Sequence, residues 1–411
     1  MTRTFNEDTD QCSEFAYDSD EDVPPDSFSL TKLEEAAGRF IGEKCNLVKL
    51  AEGGYHKVYE VYSATAKKRP TSLLELLLLH SPKDKFMDLL FVLWKIATVQ
   101  HIASHTKIPT TRVYDWNSDG GNPVGLEYMI LEKVNGVSAS DVWDTLPLKL
   151  KRVTVSEIAD CLIQLFRLRF DTSGSLYNGP DGKQFVGPIV SIPFYRALDG
   201  VVRLPQPVHR DIAIYRGPFP NATAYLRSFL DTELRLIRDH RQHILEHELN
   251  GDEERLETGY SRPRPGRAAF LSLSGPGQPF ALRMDFRLSN IMIDKETGHV
   301  TGIIDFEGTT VAPLWECAYL PRWLQDPEEW DGTYEGGSAE EREVLRDLFL
   351  RKIQELDQTE EWIRAMERRR PFREFTNMLN FHVGVWASQE EWVNERIEWS
   401  KNHPGIAYPS T

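Results

Sequence analysis

Apolar residues recur at intervals of three and four between Leu30 and Ile41 (Leu30, Leu33, Ala36, Ala37, Phe40), which places them on one face of a helix. The period then shortens. Cys45–Ala51 reads as a strand, Gly53-Gly54-Tyr55 as a turn, and Lys57–Tyr62 as the returning strand, with Val58 and Val61 among its apolar residues. After the leucine-rich run Leu73–Leu79, Ile96–His105 predicts a second helix. Arg112–Trp116 and Leu126–Val134 predict two more strands, parted by the turn-forming Asn117-Ser118-Asp119-Gly120-Gly121-Asn122-Pro123. Beyond Gly136 helical spacing dominates, over Ser156–Phe170, Ala222–Leu249, Glu340–Leu356 and Phe375–Trp399, with a hydrophilic loop at Gly251–Arg267. No internal repeat is present. A small strand-rich part over residues 30–133, followed by a larger helical part over 134–411, is a two-lobed α+β pattern.

Composition narrows the function classes. The 411 residues suffice for one bilobal enzyme or two ordinary domains, and the 40% hydrophobic and 27% charged content is that of a globular chain with a core. A net charge of −15 argues against a broad basic face for nucleic acid or an anionic membrane. It leaves ATP open, because Mg²⁺ and a few local donors neutralise phosphates. Residues 1–29, with Asp18-Ser19-Asp20-Glu21-Asp22, have neither the apolar run of a secretory signal nor the basic character of a transit peptide. They read as a disordered acidic tail, and the protein as cytoplasmic. Leu73–Leu79 is too short to cross a bilayer. Cys12, Cys45, Cys161 and Cys317 form no CxxC pair, so no zinc or disulfide framework is expected.

The chemistry concentrates in Leu282-Arg283-Met284-Asp285-Phe286-Arg287-Leu288-Ser289-Asn290-Ile291-Met292-Ile293-Asp294. Phosphoryl transfer asks a protein mainly for positioning and charge neutralisation. One carboxylate must meet the attacking hydroxyl, and an amide oxygen nearby can hold Mg²⁺ without excess negative charge. Asp285 and Asn290 have that spacing. A strand at Ile291–Ile293, a turn at Glu296-Thr297-Gly298 and a strand at Thr301–Ile304 would return Asp305 to the side of Asn290, adding a second oxygen ligand for a hard cation.

The whole run, continued through Gly302-Ile303-Ile304-Asp305-Phe306-Glu307 to Pro313-Leu314-Trp315-Glu316, resembles the catalytic and metal-binding segment of the aminoglycoside phosphotransferase-like kinases. Gly53-Gly54-Tyr55-His56-Lys57-Val58-Tyr59, Asn122-Pro123-Val124-Gly125, Met129-Ile130-Leu131-Glu132 and Gly174-Ser175-Leu176-Tyr177 are similar to a fungal branch of that family, so the likeness covers roughly residues 30–325. It implies a bilobal protein-kinase-like α+β fold with ATP between the lobes and a small-molecule hydroxyl acceptor. It implies further that Asp285 is the catalytic base and that Asn290 and Asp305 hold Mg²⁺. The Gly53-Gly54 turn would cover the phosphates with backbone N–H groups, and Glu132–Val134 would be the hinge that meets adenine.

Two family parts are displaced. The basic residue that grips the α- and β-phosphates from the third strand has no clear counterpart; Lys67 or Lys68 stands nearest, just before Pro70. The helix glutamate that pairs with it is replaced by Lys95, ahead of Ile96-Ala97-Thr98, and no glutamate occurs between Glu75 and Glu127. Arg283 stands where a histidine commonly precedes the catalytic aspartate. Two explanations remain open: a pseudokinase that keeps the metal ligands without the phosphate grip, or a Thr65–Lys95 segment that comes from a retained intron or shifted frame. Other motifs carry less. His209-Arg210-Asp211 spells a kinase triplet but has Arg216, not Asn, five residues on; His240, His243 and His247 read as a charged helix face; Trp386, Trp392 and Trp399 as packing; Asn221-Ala222-Thr223 as a glycosylation sequon by spelling only.

Overall fold

The computed structural model describes residues 28–52, 56–64, 72–77, 85–190, 216–239, 241–247, 251–254, 279–306, 308–327 and 335–367, with 398 and 402. The chain divides into two compact units. The first holds residues up to Val92 with Arg112–Lys133; the second holds Leu93–Thr111 and most of the chain from Val134 onward.

The first unit is a helix on an antiparallel sheet. Helix α1 (Leu30–Ile41) starts where the Ser29 hydroxyl accepts from the Lys32 N–H at 3.3 Å and ends at Gly42, whose φ of 83° suits glycine. Of its predicted apolar face, Leu33, Ala36 and Ala37 are buried, whereas Leu30 and Phe40 are exposed at the rim, Phe40 stacking on Tyr114 at 5.3 Å. The sheet runs β1 (Cys45–Glu52), β2 (His56–Ser63), β3 (Ser72–Leu77), β5 (Tyr128–Glu132), β4 (Val113–Asn117), with every neighbouring pair antiparallel. Tyr59 and Val61 of β2 point together into the core with Tyr128 and Ile130 of β5, the two-residue period of a half-buried sheet. The leucine-rich stretch supplies the central strand: Glu75 is paired with Val58 on one side and Met129 on the other. The β4–β5 turn is tied by Asn122, whose amide donates to the carbonyls of Asp119 and Leu126 at 2.6 and 2.8 Å.

Helix α2 (Lys85–His105) begins well before the predicted Ile96. In the second unit, α3 (Ala139–Val142) leads to α4 (Leu148–Arg167), whose Val155, Ile158, Ala159, Leu162 and Phe166 form a buried stripe. The helix predicted over 222–249 is two helices, α5 (Ala222–Asp239) and α6 (Arg241–His247). After the short α7 (Leu314–Cys317), α8 (Ala339–Leu356) packs along α4, where Lys151 meets Glu341 at 2.6 Å while lying over the Trp143 ring. Among these helices run small antiparallel sheets: β7 (Ser175–Asn178) with β8 (Gln184–Gly187), β9 (Phe280–Arg283) with β12 (Thr310–Pro313), and β10 (Ile291–Ile293) between β6 (Val137–Ser138) and β11 (Val300–Ile303). Among the described residues no helix is long and apolar enough to cross a membrane.

Candidate active site

Strand β9 is buried at Phe280, Ala281 and Leu282 and delivers Asp285 just past its end, with the side chain half exposed. A single 3₁₀ turn, Leu288–Asn290, reverses the chain into β10. The next turn is tight because the Asp294 carboxylate accepts the N–H groups of Glu296 and Thr297 at 2.8 and 3.1 Å, contacts that also hold its carboxyl below the usual range. Strand β11 then runs back, Ile303 opposite Ile291, and the Ile304 N–H donates to the Asn290 carbonyl at 3.0 Å. The Asn290 amide donates to the Asp285 carbonyl at 3.4 Å. Asp285, Asn290 and Asp305 are thereby brought to one end of one hairpin, as the sequence predicts.

Two buried aromatics hold the loop. The Tyr319 hydroxyl donates to the Met284 carbonyl, and the Trp323 indole N–H donates to the Phe286 carbonyl at 2.8 Å, so the carbonyls of the residues before and after Asp285 are both clamped. From β6 the Ser138 hydroxyl reaches the Ser289 carbonyl at 3.3 Å. None of these three residues stands out in the sequence, since a hydroxyl or indole that binds a distant backbone carbonyl leaves no spacing signal.

The charges are set as pairs. Arg287 Nε lies 2.7 Å from Asp285 Oδ2, both side chains half exposed. Arg283 lies 3.9 Å from Glu316; burial works against its charge, and the Glu316 carboxylate with its neighbours more than offsets this, leaving the guanidinium held above its ordinary value. Asp305 has a left-handed backbone, φ 55°, a conformation that aspartate tolerates better than most residues but that is still strained. Its Oδ1 lies 3.6 Å from Nζ of Lys95, a residue only 5% exposed.

Glu132 is exposed at the end of β5, its N–H bound to the Arg112 carbonyl at 2.8 Å. Val134 packs on Gly302, where an added Cβ would come within 2.4 Å of Val134 Cγ1. Gly136 has φ 118° and crosses β10 so closely that a Cβ would sit 2.5 Å from the Ile293 carbonyl oxygen. Gly53, Gly54, Lys67 and Lys68 lie outside the described residues, as do residues 1–27 of the acidic tail with Cys12, His209-Arg210-Asp211, His240 and Trp386, Trp392 and Trp399; Ser29, read as the end of that tail, instead caps α1. Lys67 and Lys68 also precede the third strand, which as Ser-Leu-Leu-Glu-Leu-Leu contains no basic residue. Asn221 has a structural role, its side chain accepting the Ala224 N–H at 2.8 Å at the start of α5. Among the described residues no group of three or more His, Cys, Asp or Glu could hold a metal ion. What the hairpin offers is one carboxylate and one amide oxygen, a set that suits a hard cation sharing its remaining positions with water and phosphate.

Known proteins resemble this chain in sequence. Two subtelomeric hrmA-associated cluster proteins from two strains of Aspergillus fumigatus are each 25% identical over 315 residues, covering 67% of this chain; the chain spans 60% of the length of these curated relatives. Among solved structures, the aminoglycoside phosphotransferase APH(4)-Ia is 15% identical with a TM-score of 0.45, covering 92% of this chain and all of its own. The GDP and kanamycin complex of APH(2″)-IIIa is 14% identical with a TM-score of 0.41, covering 91% of this chain and 98% of its own. A sequence model of the phosphotransferase enzyme family matches residues 95–348, more than half of the chain and all of the hairpin that carries Asp285, Asn290 and Asp305. The protein therefore belongs to the phosphotransferase enzyme family, and its described residues form an α+β fold.

Proposed function

We propose that this protein transfers the terminal phosphoryl group of ATP to a hydroxyl of a small molecule. One observation carries the reading: the β10–β11 hairpin gathers Asp285, Asn290 and Asp305 at a single half-open edge, with Asn290 bound to the backbone of Asp285 on one side and of Ile304 on the other. Arg287 occupies Oδ2 of Asp285 and fixes the carboxylate's orientation, leaving Oδ1 to meet the acceptor. Asp285 takes the hydroxyl proton as the acceptor oxygen bonds to phosphorus and the bond to ADP breaks. Asn290 and Asp305 would hold Mg²⁺, which supplies neutralisation of the phosphate charge when bound. The clamps from Tyr319 and Trp323 serve positioning, which in this chemistry is most of what a protein contributes.

A second reading, a nucleotide-binding module without turnover, is favoured by Lys95, which stands where a glutamate is expected and faces Asp305. Melting curves with ATP and Mg²⁺, followed by ADP release in the presence of a panel of hydroxylated small molecules, separate the two. The enzyme reading expects stabilisation by Mg·ATP and transfer that falls about 10²- to 10⁴-fold in Asp285→Ala. Stabilisation without any Asp285-dependent transfer would support the silent module, and no response to nucleotide would sink both.

A further inference from the structure

Helix α2 is buried on almost every side where it enters the second unit. Trp94, Ile96, Ala97, Thr98 and Val99 are each at most 5% exposed, and Lys95 sits among them with the same burial. For packing alone, an apolar side chain of the same length would serve better, because an ammonium taken from water must be compensated by charge. Asp305 offers such a charge at 3.6 Å, too long for a hydrogen bond between these two groups and so a charge contact. Asp305 is itself 41% exposed on its side chain. The ammonium therefore approaches from the buried side a carboxylate whose other side is open to the solvent edge of the hairpin.

The third strand carries no basic residue, and the surroundings of the hairpin are acidic enough to need one. Mg·ATP keeps net negative charge, Asp285 and Asp305 add more, and Arg287 and Arg283 are already set against Asp285 and Glu316. We propose that Lys95 is the phosphate-binding cation of this site, supplied from helix α2 in place of the third strand. Without nucleotide it neutralises Asp305; with nucleotide it turns its charge to the phosphates beside the metal ligands. The long, flexible lysine stem allows that change without moving the helix. The substitution that removes the usual helix glutamate would then be the one that restores the missing cation.

The proposal rests on the phosphotransferase reading, and the test distinguishes failure of either. Calorimetric titration of the full chain with Mg·ADP and with adenosine compares wild type, Lys95→Met and Lys95→Arg, each checked for an unchanged melting profile. Lys95→Met is expected to lose about tenfold or more in Mg·ADP affinity, the share of one charge-assisted contact, with adenosine binding unchanged and Lys95→Arg recovering part of the loss. If wild type binds Mg·ADP and Lys95→Met binds it equally well or more tightly, Lys95 is a structural counter-ion or a lock on Asp305, and the proposal falls while the phosphotransferase reading stands. If wild type binds no nucleotide, both fall. Should Lys95→Met not fold, wild type is treated with an adenosine bearing a 5′-sulfonyl fluoride. There the lysine Nζ forms a bond to sulfur, fluoride leaves and the proton goes to solvent. Labelling of Lys95 that Mg·ATP prevents supports the proposal, and labelling confined to Lys67 or Lys68 overturns it. A spliced message that encodes glutamate at position 95 overturns it as well.

Discussion

Removing one oxygen atom from Tyr319 tests whether the loop that carries Asp285 is held from outside. In Tyr319→Phe the ring still fills its site, 9% exposed, but the Met284 carbonyl loses its hydroxyl donor. A carbonyl left with its desolvation uncompensated costs about 1–3 kcal/mol, which for a unit of this size lowers the melting temperature by roughly 2–4 °C per kcal/mol. The larger expected effect is on chemistry. Met284 immediately precedes Asp285, and a displacement of about 1 Å at a reacting group can cost about 10²-fold in rate. The control is Tyr177→Phe, which loses a hydroxyl bond to the Pro188 carbonyl at 2.8 Å next to the β7–β8 hairpin. Calorimetric melting and Mg·ATP turnover are measured for both variants. A comparable stability loss in both, with turnover reduced only in Tyr319→Phe, is the expected result. Equal loss of turnover in the two, or no change in either measurement for Tyr319→Phe, would refute the clamp.

Three further outcomes follow from described contacts. Gly302→Ala places a Cβ 2.4 Å from Val134 Cγ1 and 3.1 Å from Cγ2, so about 1–3 kcal/mol of destabilisation from overpacking is expected in chemical denaturation; an unchanged midpoint would mean that Val134 moves aside freely. Burial holds the His101 imidazole below its ordinary value, against a hydrogen bond to Gln184 and with His105 adding to the depression. The unfolded chain then binds this proton more readily, so the His101 contribution is intact above its ordinary value of about 6.5 and is lost as pH falls through the lower folded value; His101→Gln should flatten the fall in melting temperature between about pH 7.5 and 5.5. Cys45, Cys161 and Cys317 are all buried, and burial pushes the Cys161 thiol up to about 12; a thiol reagent should therefore modify none of these in the native state, and rapid labelling of Cys161 without unfolding would contradict the packing of α4.

Much of the site is legible in the sequence because it is local. Asp285, Asn290 and Asp305 are joined by a strand, a turn and a strand whose residues announce themselves: β-branched and apolar in Ile291–Ile293, turn-forming in Glu296-Thr297-Gly298. Most strands of the sheet are legible for the same reason. The leucine-rich run does not declare itself a strand, because continuous apolar residues lack the two-residue period; β3 is nonetheless the central strand, paired on both edges. The early start of α2 is hidden because Phe86–Trp94 is likewise almost continuously apolar and shows no one-sided helical period. Tyr319 and Trp323 are invisible because their partners lie 35 and 37 residues back. Nor can spacing reveal that Lys95 faces Asp305, a pairing made only when helix and hairpin pack.

Those two clamps also set an order of events during synthesis. The ribosome releases Met284 and Phe286 long before Tyr319 and Trp323, so the loop around Asp285 leaves the exit tunnel with its backbone acceptors met only by water. Until the later aromatics emerge, the nascent chain can own Asp285, Asn290 and Asp305 without owning their alignment. A message truncated between Asp305 and Tyr319 would encode every residue assigned to the reaction and still make a polypeptide whose loop lacks both aromatic supports.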